Sequence, residues 1–438
     1  MSSTTSSNLE RVAELVSKYF RNQHHRVPRR ESLQQVIETA FYASMKSEES
    51  RRVVCTLALV NSNNPAGENP PVIRPQRRSY IAFQSPLPFN VRNLVKLSQA
   101  APPWASCIAV CDNNGWLSFC GLFDQEVHYR NSLNNEEGDR FGRPGLFQVE
   151  ITGVASLAIH DNWQLIATLN QDSLVSTFHD VLRIGPVAKA LLNLASTQQA
   201  MVKQSLGSVP IGRFEPVWVE LWMRTLSRIL LNIKRSGHGG ALLLIPRRPT
   251  KDLKVKYKII YQKLETILRG HVGDEIRADI TENVIYEKFI NRQREQMPLD
   301  LHLAETVAIG DKEDSIKGEL GCVNFIASLA RVDGCVLLSS GLNVLGFGVE
   351  ITCRKDPSDV FTAGDELASK SKLRHTNFSD FGTRHRSMMR YCHSHPGSVG
   401  FVISQDGDVR ATTRIGKKLV LWENVQLQDV EVVKHSAT

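Results

Sequence analysis

The run Ala241-Leu-Leu-Leu-Ile constrains this chain more than any other stretch, because a strand with no polar face belongs in a sheet covered on both sides. An apolar helix is expected just before it, from about Pro216 to Lys234, with Trp218, Leu221, Trp222, Leu226, Ile229, Leu230 and Ile233 along one face. Gly237-His-Gly-Gly ends that helix and turns the chain into the strand. The predicted fold class is α/β. A C-terminal mixed sheet flanked by helices follows an α+β N-terminal domain.

The N-terminal pattern is different. Residues 1–8 are Ser- and Thr-rich and are expected to be disordered. Apolar residues then recur at helical spacing at Leu9, Val12, Ala13, Val16, Tyr19 and Phe20, and again at Leu33, Val36, Ile37, Ala40 and Phe41. Short strands with turn signals follow, interrupted by a helix over Val91–Leu97, and the α+β domain is expected to span 9–175. Residues 176–215 read as a helical connector and linker, with a helix over Val187–Leu194 and a Gly/Ser/Pro-containing stretch at 204–214. The second domain is placed at 216–438. Within it, 247–315 is polar and charged, with helical pieces around 257–268 and 275–292, and the apolar pattern resumes with a helix carrying Val323, Ile326, Ala327 and Ala330.

A chain of 438 residues, 42% hydrophobic, has enough apolar surface for two or three cores. Its formal charge of +8 suits anionic ligands, but bases and acids alternate along the sequence, so nucleic acid is not the expected partner. The eight cysteines lack close zinc-type pairs and read as reduced, mostly buried thiols. No stretch is apolar enough to span a bilayer, and a cytoplasmic location without membrane contact is expected.

Two short motifs carry chemistry. Gly382 and Thr383 have turn and N-cap character, which puts Arg384, His385 and Arg386 in a first helical turn, where amides, helix dipole and guanidiniums favour a polyphosphate. Asp333-Gly334 precedes a strand and supplies a carboxylate able to hold a divalent cation against the same phosphates.

In the order strand 241–245, Asp333-Gly-Cys, Gly382-Thr-Arg-His-Arg and Val402-Ile-Ser-Gln-Asp, residues 216–428 resemble the diadenylate cyclase family, with 247–315 unmatched. The N-terminal half is similar to sensor domains found in front of such cyclases. The resemblance implies condensation of two ATP into cyclic di-AMP plus pyrophosphate, a second messenger, with Mg²⁺, Mn²⁺ or Co²⁺ as the metal. It implies Asp333, Gly334 and His385 as catalytic, with Asp333 also activating the attacking ribose hydroxyl. Thr383, Arg384, His385, Arg386 and Ser404 would bind ATP and its phosphates, and Asp333 and Asp406 the metal. Two positions depart from the family pattern: Cys335 replaces an alanine, and Asp406 stands where the family has glutamate. Because each ATP is attacker and target in turn, two copies must face each other, as a homodimer or higher oligomer. A small-molecule or protein signal is expected at the N-terminal domain.

Plainer readings stand beside these. Asp-Gly before a strand is often only a turn, and a degenerate cyclase that binds nucleotide and signals through a partner keeps the same motifs. His393 and His395, with Ser404 and Asp406, resemble the zinc site of JAMM metalloproteases, but the position three residues after the serine is Gly407. At a helix C-terminus, protonated histidines would complement the dipole.

Overall fold

The computed structural model describes residues 3–23, 28–61, 79–103, 106–124, 146–161, 164–171, 173–205, 211–246, 248–287, 297–405 and 407–427. The chain divides into two compact units, Met1–Thr177 and Phe178–Thr438.

In the first unit, helices α1 (Ser3–Asn22) and α2 (Arg30–Ser44) precede strands β1 (Ser47–Glu48), β2 (Arg51–Arg52), β3 (Thr56–Asn61) and β4 (Ser79–Pro88). After α3 (Val91–Ser98) come β5 (Ser106–Asn113), β6 (Trp116–Asp124), β7 (Phe147–Gly153), β8 (Ser156–Asp161), β9 (Gln164–Asn170) and β10 (Ser173–Val175). Among the described residues they form a mixed sheet in the order β10-β9-β8-β7-β3-β5-β6-β4, in which β3 and β5 are parallel. The apolar stripes of α1 and α2 bury Val12, Val16, Phe20, Val36, Ile37 and Phe41 against Leu57, Ile108, Val110, Phe147 and Val149.

Two expectations change here. α1 begins at Ser3 rather than after a disordered 1–8, because adding turns to a helix nucleated by its apolar stripe costs little. Cys111 and Cys120 are joined in a disulfide, with Cα atoms 5.8 Å apart. The Asn114-Gly115 turn sets Cys111 opposite Ser118, and a register shift one residue further on brings Cys120 diagonally to the same face. Cys55, Cys107, Cys322, Cys335, Cys353 and Cys392 are buried free thiols.

The second unit is a nine-stranded mixed sheet with flanking helices. Helices α4 (Gly185–Ser205) and α5 (Ile211–Arg235) lead to β11 (Gly240–Leu244) and β12 (Leu253–Tyr257). Helices α6 (Lys263–Ile285) and α7 (Leu299–Leu329) are followed by β13 (Cys335–Leu338), β14 (Val344–Ile351), β15 (Val360–Ala363) and β16 (Leu373–His375). Last come α8 (Thr383–Ser394), β17 (Val399–Ile403), β18 (Val409–Ile415) and β19 (Lys418–Trp422). The strand order is β12-β14-β13-β11-β17-β18-β19-β15-β16.

The two-sided cover that the apolar strand demands is present. Leu242, Leu244, Val336, Leu338, Phe401 and Ile403 face a core with α4, α5, α6 and α7, while Ala241, Leu243, Cys335, Leu337 and Val402 face Met388, Met389, Tyr391 and Cys392 of α8. α4 belongs to this unit: Val187, Leu191, Leu194 and Ala195 lie in its core, and Trp218 Nε1 donates to Ala195 O at 3.0 Å. Residues 247–315 hold the edge strand β12, all of α6 and the first half of α7; α6 runs unbroken from Lys263 to Ile285 across the gap expected between the pieces at 257–268 and 275–292, and 288–292 lie outside the described residues.

Three helices of this unit meet at a sealed carboxylate. Glu319 on α7 accepts from Thr225 Oγ1 at 2.7 Å and Arg228 Nη1 at 2.9 Å, both on α5, and lies 3.1 Å from His271 Nδ1 on α6. Burial alone would push this carboxyl up. His271, Arg228, Arg224 and Thr225 together hold it at about 2.

Candidate functional site

Sheet register brings the motifs to one edge. β11 and β13 are parallel, so the chain enters both from the same side, and Asp333-Gly334 stands at the start of β13 beside Gly239-Gly240. β17 runs antiparallel to β11, with Gly240 opposite Ile403, which delivers Ser404 to that side. α8 packs back along β17, where a Cβ on Gly400 would meet Met388 Sδ at 2.4 Å, so its first turn returns to the same edge. Asp333 Oδ1 consequently lies 3.9 Å from Arg384 Nη2, with the Asp333 side chain fully exposed.

The first turn of α8 has the chemistry expected of an anion site. Gly382 is an N-cap without a side-chain cap, and the helical ladder starts with Arg386 N donating to Gly382 O at 3.0 Å, so the amides of Thr383, Arg384 and His385 precede it. Arg386 Nε is shielded from solvent and has no hydrogen-bond partner among the described residues. Burial, then the charges of Arg410 and Arg384, lower the His385 pKa to about 4, so this imidazole is neutral at pH 7.

Gly334 is needed by the sheet itself. It sits at φ +111°, and a Cβ there would fall 2.6 Å from the carbonyl carbon of Gly348. Ser404 also has a structural role. Its Oγ accepts from Asp408 N at 3.0 Å and its own N–H donates to Asp408 O at 2.9 Å, closing the turn between β17 and β18. Asp406 lies outside the described residues.

Three neighbours escape sequence reading. Arg410 on β18 adds a third guanidinium near His385 and pairs with Glu423 Oε1 at 3.2 Å. Its outward position between Val409 and Ala411, on the strand following Ser404, is the signal that could have marked it. Tyr257 and Phe347 stack with centroids 4.8 Å apart. Tyr257 also approaches within 3.0 Å of where a Cβ on Gly348 would stand, placing an aromatic face beside the Gly334–Gly348 contact. Tyr257 lies within the run 251–258, whose alternation of charged and apolar residues reads as one wet face of an edge strand, and only the pairing of β12 with β14 reveals the stack.

The histidines of the protease-like motif diverge. His395 Nε2 contacts Asp252 Oδ2 at 2.9 Å beyond the end of α8. Burial and the charges of Arg414 and Lys355 lower the His393 pKa, so the cationic form expected at the helix end is disfavoured there. Among the described residues no group of three His, Cys, Asp or Glu side chains could hold a metal ion by itself. An exposed carboxylate such as Asp333 can hold a hard cation only together with oxygen ligands brought by a bound anion.

Residues 22–124 match the family model described as a probable sensor domain, DACNV. None of the curated proteins and none of the solved structures compared matches the chain. Among the described residues no helix is long and apolar enough to cross a membrane.

Proposed function

We propose that the second unit is a diadenylate cyclase domain, converting two ATP into cyclic di-AMP and pyrophosphate under the control of the first unit. The observation that carries this reading is the convergence of Asp333, Arg384, Arg386 and Ser404 at one end of the central strands β13, β11 and β17, with Asp333 Oδ1 and Arg384 Nη2 3.9 Å apart. The match of residues 22–124 to a probable sensor domain supports the link to signalling.

In this reading the amides of Thr383 to His385, with Arg384 and Arg386, grip the triphosphate and neutralise the departing pyrophosphate. Neutral His385 can donate its one ring N–H to a phosphate oxygen without repelling the neighbouring guanidiniums. Asp333, with Asp406 as the second carboxylate, holds a divalent cation (Mg²⁺, Mn²⁺ or Co²⁺), which when bound offsets phosphate charge and acidifies the attacking hydroxyl. Tyr257, exposed and backed by the half-buried Phe347 ring, offers a face for the base. Each ATP must be presented to the other, so the working unit is two copies facing across a two-fold axis.

Incubating the protein with ATP and each of the three metals, then weighing the products, tests the proposal. Cyclic di-AMP with two equivalents of pyrophosphate is expected, at a specific rate that rises with protein concentration as pairs form. ATP retained but unconverted with every metal would favour the degenerate nucleotide-binding reading instead.

A further inference from the structure

We infer that the tip of the β5–β6 hairpin is a binding site for a small planar heteroaromatic ring carrying an acidic group. A cleft of about 340 Å³ opens there, lined by Gln35 of α2, Phe89, and Gly115, Trp116 and Leu117 of the hairpin. Its size falls in the small-ligand range of roughly 300–1,000 Å³. The inference rests on the sensor-domain match of this unit and is independent of the cyclase reading.

Trp116 is the unusual component. Its side chain is 83% exposed, although an indole contributes more by burial than almost any other residue. The turn that precedes it is held in place. Asn114 and Gly115 both take positive φ, 55° and 97°, as a tight two-residue hairpin turn requires. Asp112 ties that turn to α2, accepting from Gly115 N at 2.7 Å and from Ser32 Oγ at 2.6 Å. Arg29 donates to Asn114 Oδ1 at 3.3 Å, and its Nη1 is 3.6 Å from where a Cβ on Gly115 would stand. With the neighbouring backbone held, a ring that stacks on the indole needs to order only the two side-chain torsions of Trp116.

The chemistry of the wall selects the ligand class. Trp116, Phe89 and Leu117 suit a flat apolar surface, the Gln35 carboxamide can pair with a ring edge carrying both donor and acceptor, and the Arg29 guanidinium, which lies against the Asn114-Gly115 turn beside the cleft, suits a carboxylate or phosphate. Nucleotides and heteroaromatic carboxylates share these three features.

The test uses the full chain labelled with fluorotryptophan. The chain has six tryptophans, and the Trp116 signal is assigned by its loss in Trp116→Phe. Nicotinate, indole-3-acetate and AMP are titrated as probes and followed by fluorine NMR. At least one should shift the Trp116 signal saturably, with affinity about tenfold weaker in Arg29→Ala and in Gln35→Ala. Arg384→Ala should leave the shift unchanged, separating this cleft from the phosphate site. The inference is overturned if no probe gives a saturable shift, if neither Arg29→Ala nor Gln35→Ala weakens it while far-ultraviolet dichroism stays native, or if Arg384→Ala abolishes it.

Discussion

Glu319 and Asp333 are both carboxylates that face arginine within the second unit, yet Glu319 is sealed while Asp333 is fully exposed. Around Glu319, bonds from Thr225, Arg228 and His271 join three helices, and the local charge is used up in holding them. Where Asp333 sits, Arg384, Arg386 and Arg410 lie near the carboxylates Asp333 and Glu423, and Arg386 Nε has no partner among the described residues. The same side-chain types therefore do different work. A sealed network stabilises the fold, whereas under the proposed function the exposed groups are left to meet an anion that arrives from outside.

The largest expected effect is on stability. Glu319→Ala leaves Arg228 buried beside an empty site and should destabilise the second unit by about 3–5 kcal/mol, read as a lower denaturant midpoint. Because the Glu319 carboxyl is held at about 2 against an ordinary 4.5, its contribution is full above pH 4.5 and is lost as pH falls toward 2. An unchanged midpoint in the variant would erase the contrast between the two clusters.

Next in size are the arginines of the open edge. Arg384→Ala and Arg386→Ala should each lower ATP use by roughly ten- to a hundredfold, with melting little altered, and lysine should restore only part of it because a point charge cannot reproduce the guanidinium fork. Steady-state rates and a thermal melt on each variant check this. Loss of stability in place of activity would make the edge a second structural cluster.

The smallest effect concerns His385. Its folded pKa of about 4 is below the ordinary 6.5, so the native state resists a proton that the unfolded chain accepts, and stability falls as pH drops from 6.5 to 4. His385→Gln should flatten that part of the acid-unfolding curve. Above about pH 7 the two proteins should have the same pH dependence of stability. A wild-type acid limb indistinguishable from that of the variant would mean the imidazole is not held neutral by its neighbours.

Elements with a strong local period were legible in the sequence. The stripes of α1, α2 and α5 and the uniform apolarity of β11 fixed their burial, because one side-chain repeat decides which face is inside. α7 was not. Its buried positions cluster at Cys322, Val323, Ile326 and Ala327, while Leu299, Leu303 and Val307 in its first half are exposed, so no single stripe marks 31 residues as one helix. At the site, the motifs were visible because Asp333-Gly334 and Gly382 to Arg386 are contiguous in sequence. Arg410 and the Tyr257–Phe347 stack depend on strand pairing across long separations, and the Cys111–Cys120 bond on a register shift that spacing does not display. Ser404 shows the converse: motif reading assigns it to ligand, and the structure gives its hydroxyl a turn to close.

Asp333→Asn, assayed beside the wild type with ATP and each divalent metal, tests the central claim most directly. The substitution keeps the shape and removes the charge of a side chain that makes no buried contact, so its melting curve should match the wild type. Mass spectrometry should find cyclic di-AMP from the wild type and none from the variant. Equal amounts of product from the two proteins would contradict the account.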